Sequence, residues 1–190
     1  MYHGNYIDHF MLIPARKIKA ILKYFCTNTN PEFLGKTKLM KLFYFADFRH
    51  VKKYGRSITG DTYYHLEHGP IPSTILNLVN SVLDAQEEAI LSDTIVIDFH
   101  SEKAMQKILC LGSFEQTDKC LFSESELEIL ELVCKEFGER NTKYIVDLSH
   151  MEAPWAQTKE TEKISYTLAA SDPDCLVDEE LLRLVEKIEG

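Results

Sequence analysis

The residues from Lys36 to Tyr54, KTKLMKLFYFADFRHVKKY, constrain this chain more than any other stretch. Leu39, Leu42, Phe43, Ala46 and His50 form one helical stripe, and Met40, Tyr44, Phe48 and Val51 form another. Together they cover most of the circumference, and a helix that is apolar nearly all round belongs in a core. The spacing therefore predicts a central, largely buried helix over about 36–54. Lys38, Lys41, Arg49 and Lys52 occupy the face that remains. That face should meet water or a partner, or else pair with acidic groups elsewhere in the same chain. Gly55 follows where a helix C-terminus favours a left-handed residue.

The elements around this helix are shorter. Ile18, Ile21, Leu22 and Phe25 predict a helix from about Pro14 to Cys26. Thr62 to Leu66 reads as a strand, and Gly69-Pro70-Ile71-Pro72-Ser73 as a rigid connection with two fixed φ angles. A helix follows to about Ala85. Ile95–Phe99, Lys107–Leu111 and Lys119–Phe122 predict a small antiparallel meander. Ser123 and Glu126 make a capping-box pattern ahead of Leu127, Leu130, Val133, Cys134 and Phe137. A short helix with Tyr144, Ile145 and Leu148 ends near His150, and Leu181, Leu182, Val185 and Ile188 mark a last one. The fold class is α+β: a mainly helical single domain around the central helix.

Composition narrows the class. No apolar run approaches the ~18 residues of a membrane span, and the N-terminus lacks the basic start of a secretory leader. The five cysteines are scattered without a C-x-x-C pair, which suits free thiols in a reducing cytoplasm. The net charge of -9 is unevenly spread: residues 1–56 carry 11 Lys+Arg against three acids, and residues 57–190 carry 10 against 27. A basic face could meet an acidic partner. So acidic a chain would repel nucleic acid unless that face were well segregated.

The residue types that could carry chemistry are few. His65 and His68 are three apart, which in a strand puts them on opposite faces. Zinc needs three or four ligands, so no metal site is expected. His50 and His150 could meet in space, but each reads rather as a packed or hydrogen-bonded helix residue. Asp47 lies on an apolar stripe, where an unpaired charge is costly; Lys41, Arg56 or a backbone cap could satisfy it. Asp61 is placed like a turn residue that binds nearby amides. A hydrolase using Asp47 or Asp61 is a second class of function, but no nucleophile elbow, P-loop or G-x-G-x-x-G accompanies it. A nucleic-acid-binding regulator using Lys36, Lys38, Lys41, Arg49, Lys52 and Lys53 is a third, without a recognisable module. Cys26 and Cys134 sit on apolar faces and read as inert.

One resemblance joins these pieces. Lys38, Leu39, Lys41, Leu42, Tyr44, Phe45, Ala46 and Asp47 are followed by Tyr54, Gly55, Arg56, Ile58, Thr59, Gly60 and Asp61, then by Gly69, Pro70, Pro72 and Ser73. In that order they resemble the Panacea (SocA-like) antitoxin domain, as do Ser123 to Phe137, Leu148-Ser149-His150 and Trp155. The similarity runs over roughly residues 15–165; His68 departs from it, standing where an aromatic residue such as tyrosine is more usual. The domain is taken as 1–165, with 166–190 a helical extension packed on it. The resemblance implies a non-enzymatic protein, without cofactor, that neutralises by direct contact a cognate toxin usually encoded beside it. In the SocA-like branch it also implies an adaptor that delivers the toxin to a Clp-type protease. The basic residues Lys38, Lys41, Arg49, Lys52 and Arg56 are the expected partner contacts, and the remaining motif residues are expected to be structural.

Overall fold

A computed structural model describes residues 14–84, 88–98 and 105–189. Residues 1–13, on which the reading of the N-terminus rests, lie outside these, as do Ala85 and Phe99. The chain runs α1 (Ala15–Asn28), α2 (Lys36–Tyr54), β1 (Tyr63–Leu66), β2 (Gly69–Pro72), α3 (Ser73–Asp84), β3 (Ile95–Asp98) and β4 (Lys107–Cys110). It continues with α4 (Gln116–Lys119), α5 (Glu124–Phe137), α6 (Thr142–Met151), α7 (Ala153–Ala156), β5 (Lys163–Ile164), a 3-10 helix (Tyr166–Ser171) and α8 (Glu179–Glu189).

Helix α2 is the hub, as its two stripes require. It packs on α5, α6, β2 and the 3-10 helix. Its apolar residues are buried on every side, and Phe25–Phe43, Phe48–Tyr63 and Phe45–Phe137 ring contacts tie it to its neighbours. Gly55 stops it at φ 81, with its N–H on Val51 O, as the left-handed cap demands. Ser123 and Glu126 make the reciprocal capping box that starts α5.

The strands differ from expectation in two ways. The segment from Gly69 is itself a strand, pairing antiparallel with β1. Its prolines are tolerated because β2 is an edge in the order β2-β1-β5. The meander is a two-stranded β3–β4 hairpin, and Lys119–Phe122 adds no third strand. There Glu115 and Asp118 close a capping box of their own, and this local helical bonding starts α4. Strand β5, only two residues long, leaves no periodic signal to read.

The exposed basic stripe is the main correction. Lys38 and Lys41 are fully buried and Lys52 nearly so, while Arg49 is half-buried. Lys38 Nζ donates to Gly138 O at 2.8 Å and Arg140 O at 2.7 Å, at the negative C-terminal end of α5. Lys41 Nζ donates to Pro70 O at 2.7 Å. Lys52 Nζ lies 2.9 Å from Glu152, 2.9 Å from Asp172 and 3.1 Å from Asp174. Arg49 pairs with Glu136 at 2.7 Å and lies over the rings of Phe45 and Phe137. The stripe therefore meets carbonyls and carboxylates of the acid-rich half, not water.

Candidate functional site

The motif residues converge on three places. The first is a cage around Asp47. Its carboxylate accepts from Ile58 N–H at 2.8 Å, Thr59 N–H at 2.7 Å, Tyr63 Oη at 2.8 Å and the Thr59 hydroxyl. Tyr166 Oη adds a longer contact at 3.4 Å. Of the partners foreseen for Asp47, the backbone serves, and neither Lys41 nor Arg56 does. Burial pushes the Asp47 carboxyl up to about 6, against the pull of these bonds. Tyr63 and Tyr166 are raised well above the usual phenol range, first by burial and then by the Asp47 charge.

Asp61 acts one turn further on. Its carboxylate accepts from Thr62 N–H at 2.7 Å, Thr74 N–H at 3.0 Å and Ile75 N–H at 2.8 Å, with Ser73 Oγ at 3.5 Å. It thus holds the loop against the first turn of α3, where free amides want an acceptor. Asp47 and Asp61 together tie down the loop Gly55–Asp61 through Ile58, Thr59 and Thr62, whereas Arg56 stays exposed.

The second place is a buried join between α2, β2 and α6. Gly69 has φ +93, and a Cβ built on it would lie 2.8 Å from Ser149 Oγ, 2.9 Å from Lys41 Cε and 3.0 Å from His150 Nε2. Only glycine admits both that backbone and that approach. Burial pulls the Lys41 ammonium down to about 7, and burial followed by the Lys41 charge lowers His150. His150 and His65 both stack on Trp155, at ring separations of 4.0 and 4.3 Å. His65 Nδ1 also bonds Thr158 Oγ1 at 3.0 Å, whereas His68 is exposed in the turn between β1 and β2. Among the described residues, no group of three or more His, Cys, Asp or Glu could hold a metal ion.

A polar network flanks this join. Tyr44 Oη donates to Glu152 at 2.9 Å, and Glu152 also takes Lys52. For Lys52, burial opposes the charge, but Glu152 and Asp172 outweigh it and hold the ammonium above its usual range. Burial raises Glu152. His50 bonds Arg56 O at 2.6 Å and Ser125 Oγ at 3.1 Å, away from His150. Tyr54 bonds Glu128, and Lys36 bonds Asn80. Cys134 is pushed up to about 12 by burial, which makes it inert.

The third place is a cleft of about 650 Å³ between this fixed loop and α8. Gly55 to Thr62 form one wall, Leu182, Val185 and Glu186 the other, and the largely buried Val51, Ile58 and Ile164 make its apolar floor. Lys17, Arg56 and Lys163 also line it. Lys17 is engaged by Glu126 at 2.6 Å, whereas Arg56 and Lys163 have no ionic partner among the described residues. Of the five expected contact residues, then, Arg56 alone is exposed and lines a cavity. Sequence reasoning missed Lys163, Tyr166, Val185 and Glu186, because they come from a segment with no periodic tie to the loop.

The stretch that holds the Asp47 cage and the join at Gly69 matches a known pattern, whereas the α8 wall of the cleft lies outside it. A family model described as antitoxin SocA-like, Panacea domain, matches residues 39–156, well over half the chain. No curated protein and no solved structure matches it.

Proposed function

Because the chain belongs to the antitoxin SocA-like, Panacea domain family, we propose that it neutralises a cognate toxin by direct contact, with the cleft beside Gly55–Thr62 as a contact surface. Family membership carries the reading. The chemistry of the cleft supports it: apolar surface with two unengaged cations beside it suits an apolar anchor flanked by acidic groups. Binding is favoured over Asp-based hydrolysis because Asp47 and Asp61 are both already committed to the loop they hold. A cytoplasmic setting accords with five free cysteines. Delivery of the captured toxin to a Clp-type protease would follow from the same contact.

Co-expression with the product of the adjacent open reading frame tests this. The full chain should restore growth and co-purify with that product. Arg56→Glu with Lys163→Glu should slow association and reduce its salt dependence. Absence of both rescue and co-purification would reject the antitoxin reading. Rescue that disappears in cells lacking Clp proteases would indicate delivery, and rescue that persists would indicate masking.

A further inference from the structure

Helix α8 carries an apolar seam that its own fold leaves uncovered. Leu182, at 3 % exposure, and Val185 turn toward the cleft. Leu181, Leu184 and Ile188 remain 49, 54 and 75 % exposed. Their spacing of three and then four is that of a heptad seam, with Leu181 at a, Leu184 at d and Ile188 at the next a. Glu180 and Lys187 then fall on successive g positions. Arg183 is taken by Glu179, whereas Glu180 and Lys187 have no ionic partner among the described residues. Leu176, 76 % exposed, extends the patch just before the helix.

We propose that this seam pairs with the same seam of a second copy of the chain, antiparallel about a two-fold axis. In antiparallel helix pairs a faces d, so Leu181 of each copy meets Leu184 of the other. Ile188 then reaches the Leu176–Val177 end of the second copy. The same offset sets Glu180 of each copy against Lys187 of the other, giving two symmetry-related ion pairs. A parallel pairing would set Glu180 against Val185 and leave Lys187 with no counter-charge, so the charges select the antiparallel arrangement. Self-complementarity of this kind marks an isologous contact. The cleft wall lies to one side of this seam, with Leu182 at b and Val185 at e, so the pairing borders the cleft without using Leu182. The helix has 11 residues, too short to bury the roughly 1,200 Å² of a standard stable interface. The dimer should therefore form in the micromolar range or above. Helix α8 lies outside residues 39–156, so the pairing belongs to this chain's own C-terminal segment and does not depend on the antitoxin reading.

Sedimentation equilibrium of the full chain, from micromolar to submillimolar concentration, tests the pairing. A monomer–dimer equilibrium is expected, and Leu184→Glu should weaken it at least about ten-fold. Glu180→Lys alone and Lys187→Glu alone should each weaken it by roughly three- to ten-fold, since each replaces two attractions by two repulsions. The two together should restore it to within about two-fold of the original. The double variant has both charges opposed to the helix dipole, so damage to α8 itself would make it the worst of the three. Pairing predicts the reverse order. A monomer throughout, a dimer indifferent to Leu184→Glu, or a charge swap that fails to restore association would each overturn the proposal. So would a monomer whose Leu184→Glu variant loses the product of the adjacent open reading frame, because the seam would then belong to another protein.

Discussion

Helices α2 and α8 invert the usual rule about what a helix hides. The first buries three lysines among its aromatic rings, and the second leaves two leucines and an isoleucine largely in solvent. The difference lies in what surrounds them. Around α2, distant segments bring the Gly138, Arg140 and Pro70 carbonyls and the Glu152 and Asp172 carboxylates to within hydrogen-bond or ion-pair reach of each ammonium. Around α8, the body supplies apolar partners for one face alone. A buried charge is tolerable when its partners are in place, and an exposed leucine is tolerable when it is isolated or used.

The contrast can be broken at its strongest point. Lys52→Ala should cost about 3–5 kcal/mol, because it strands Glu152 and Asp172 without their counter-charge. Phe43→Ala, deleting a fully buried ring, should cost a similar amount, about 3–5 kcal/mol. Urea melts measure both, and values below about 1 kcal/mol for Lys52→Ala would mean that the ammonium finds water after all.

Gly69→Ala comes next, at roughly 2–4 kcal/mol, from a φ that side chains avoid and a Cβ forced against Ser149 and Lys41. A melt within about 0.5 kcal/mol of the original would show that the join between α2 and β2 is loose.

A third experiment separates the buried lysines from one another. Lys41 has a carbonyl as its partner and no carboxylate, and its folded-state value near 7 lies below the ordinary 10.5. The unfolded chain therefore binds the extra proton between these values, and stability gained from this group rises with pH through that window. The penalty is fully present below about 7. Asp47 acts in the opposite direction at lower pH: its folded value near 6 exceeds 3.8, so its contribution falls as pH rises from 3.8 to 6. Lys41→Met should flatten the alkaline slope and leave stability at neutral pH equal or higher. A loss as large as that of Lys52→Ala would show that the two lysines are held alike.

The smallest effect is expected on α8. Leu184→Gln should change the stability of the monomer by no more than about 0.5 kcal/mol, as surface changes do. A larger loss in dilute protein would show that the seam packs on the body.

The sequence already contains whatever is local. The two stripes of α2, the Gly55 cap and the Ser123–Glu126 box depend on residues within a few positions of one another. The need of Asp47 for donors was legible too, since no carboxylate sits comfortably among rings. What could not be read is anything that arrives from far along the chain. Lys38 looked exposed because its acceptor, Gly138 O, lies 100 residues away. The cleft escaped notice for the same reason: its walls are a motif loop and a helix more than a hundred positions later. Where two local signals competed, at Lys119–Phe122, hydrogen bonding by Glu115 and Asp118 outweighed strand propensity.

Trp155 is the chain's one tryptophan, and it lies face to face with two imidazoles. That makes the molecule its own optical reporter. Indole emission is sensitive to ring contact and is quenched by a protonated imidazole, so the natural fluorescence of the protein reads the state of a single joint. Loosening between β1, α6 and α7 will show as a change in intensity or lifetime, and protonation of His150 on acidification will show as dimming. No label and no substitution are needed to follow either event.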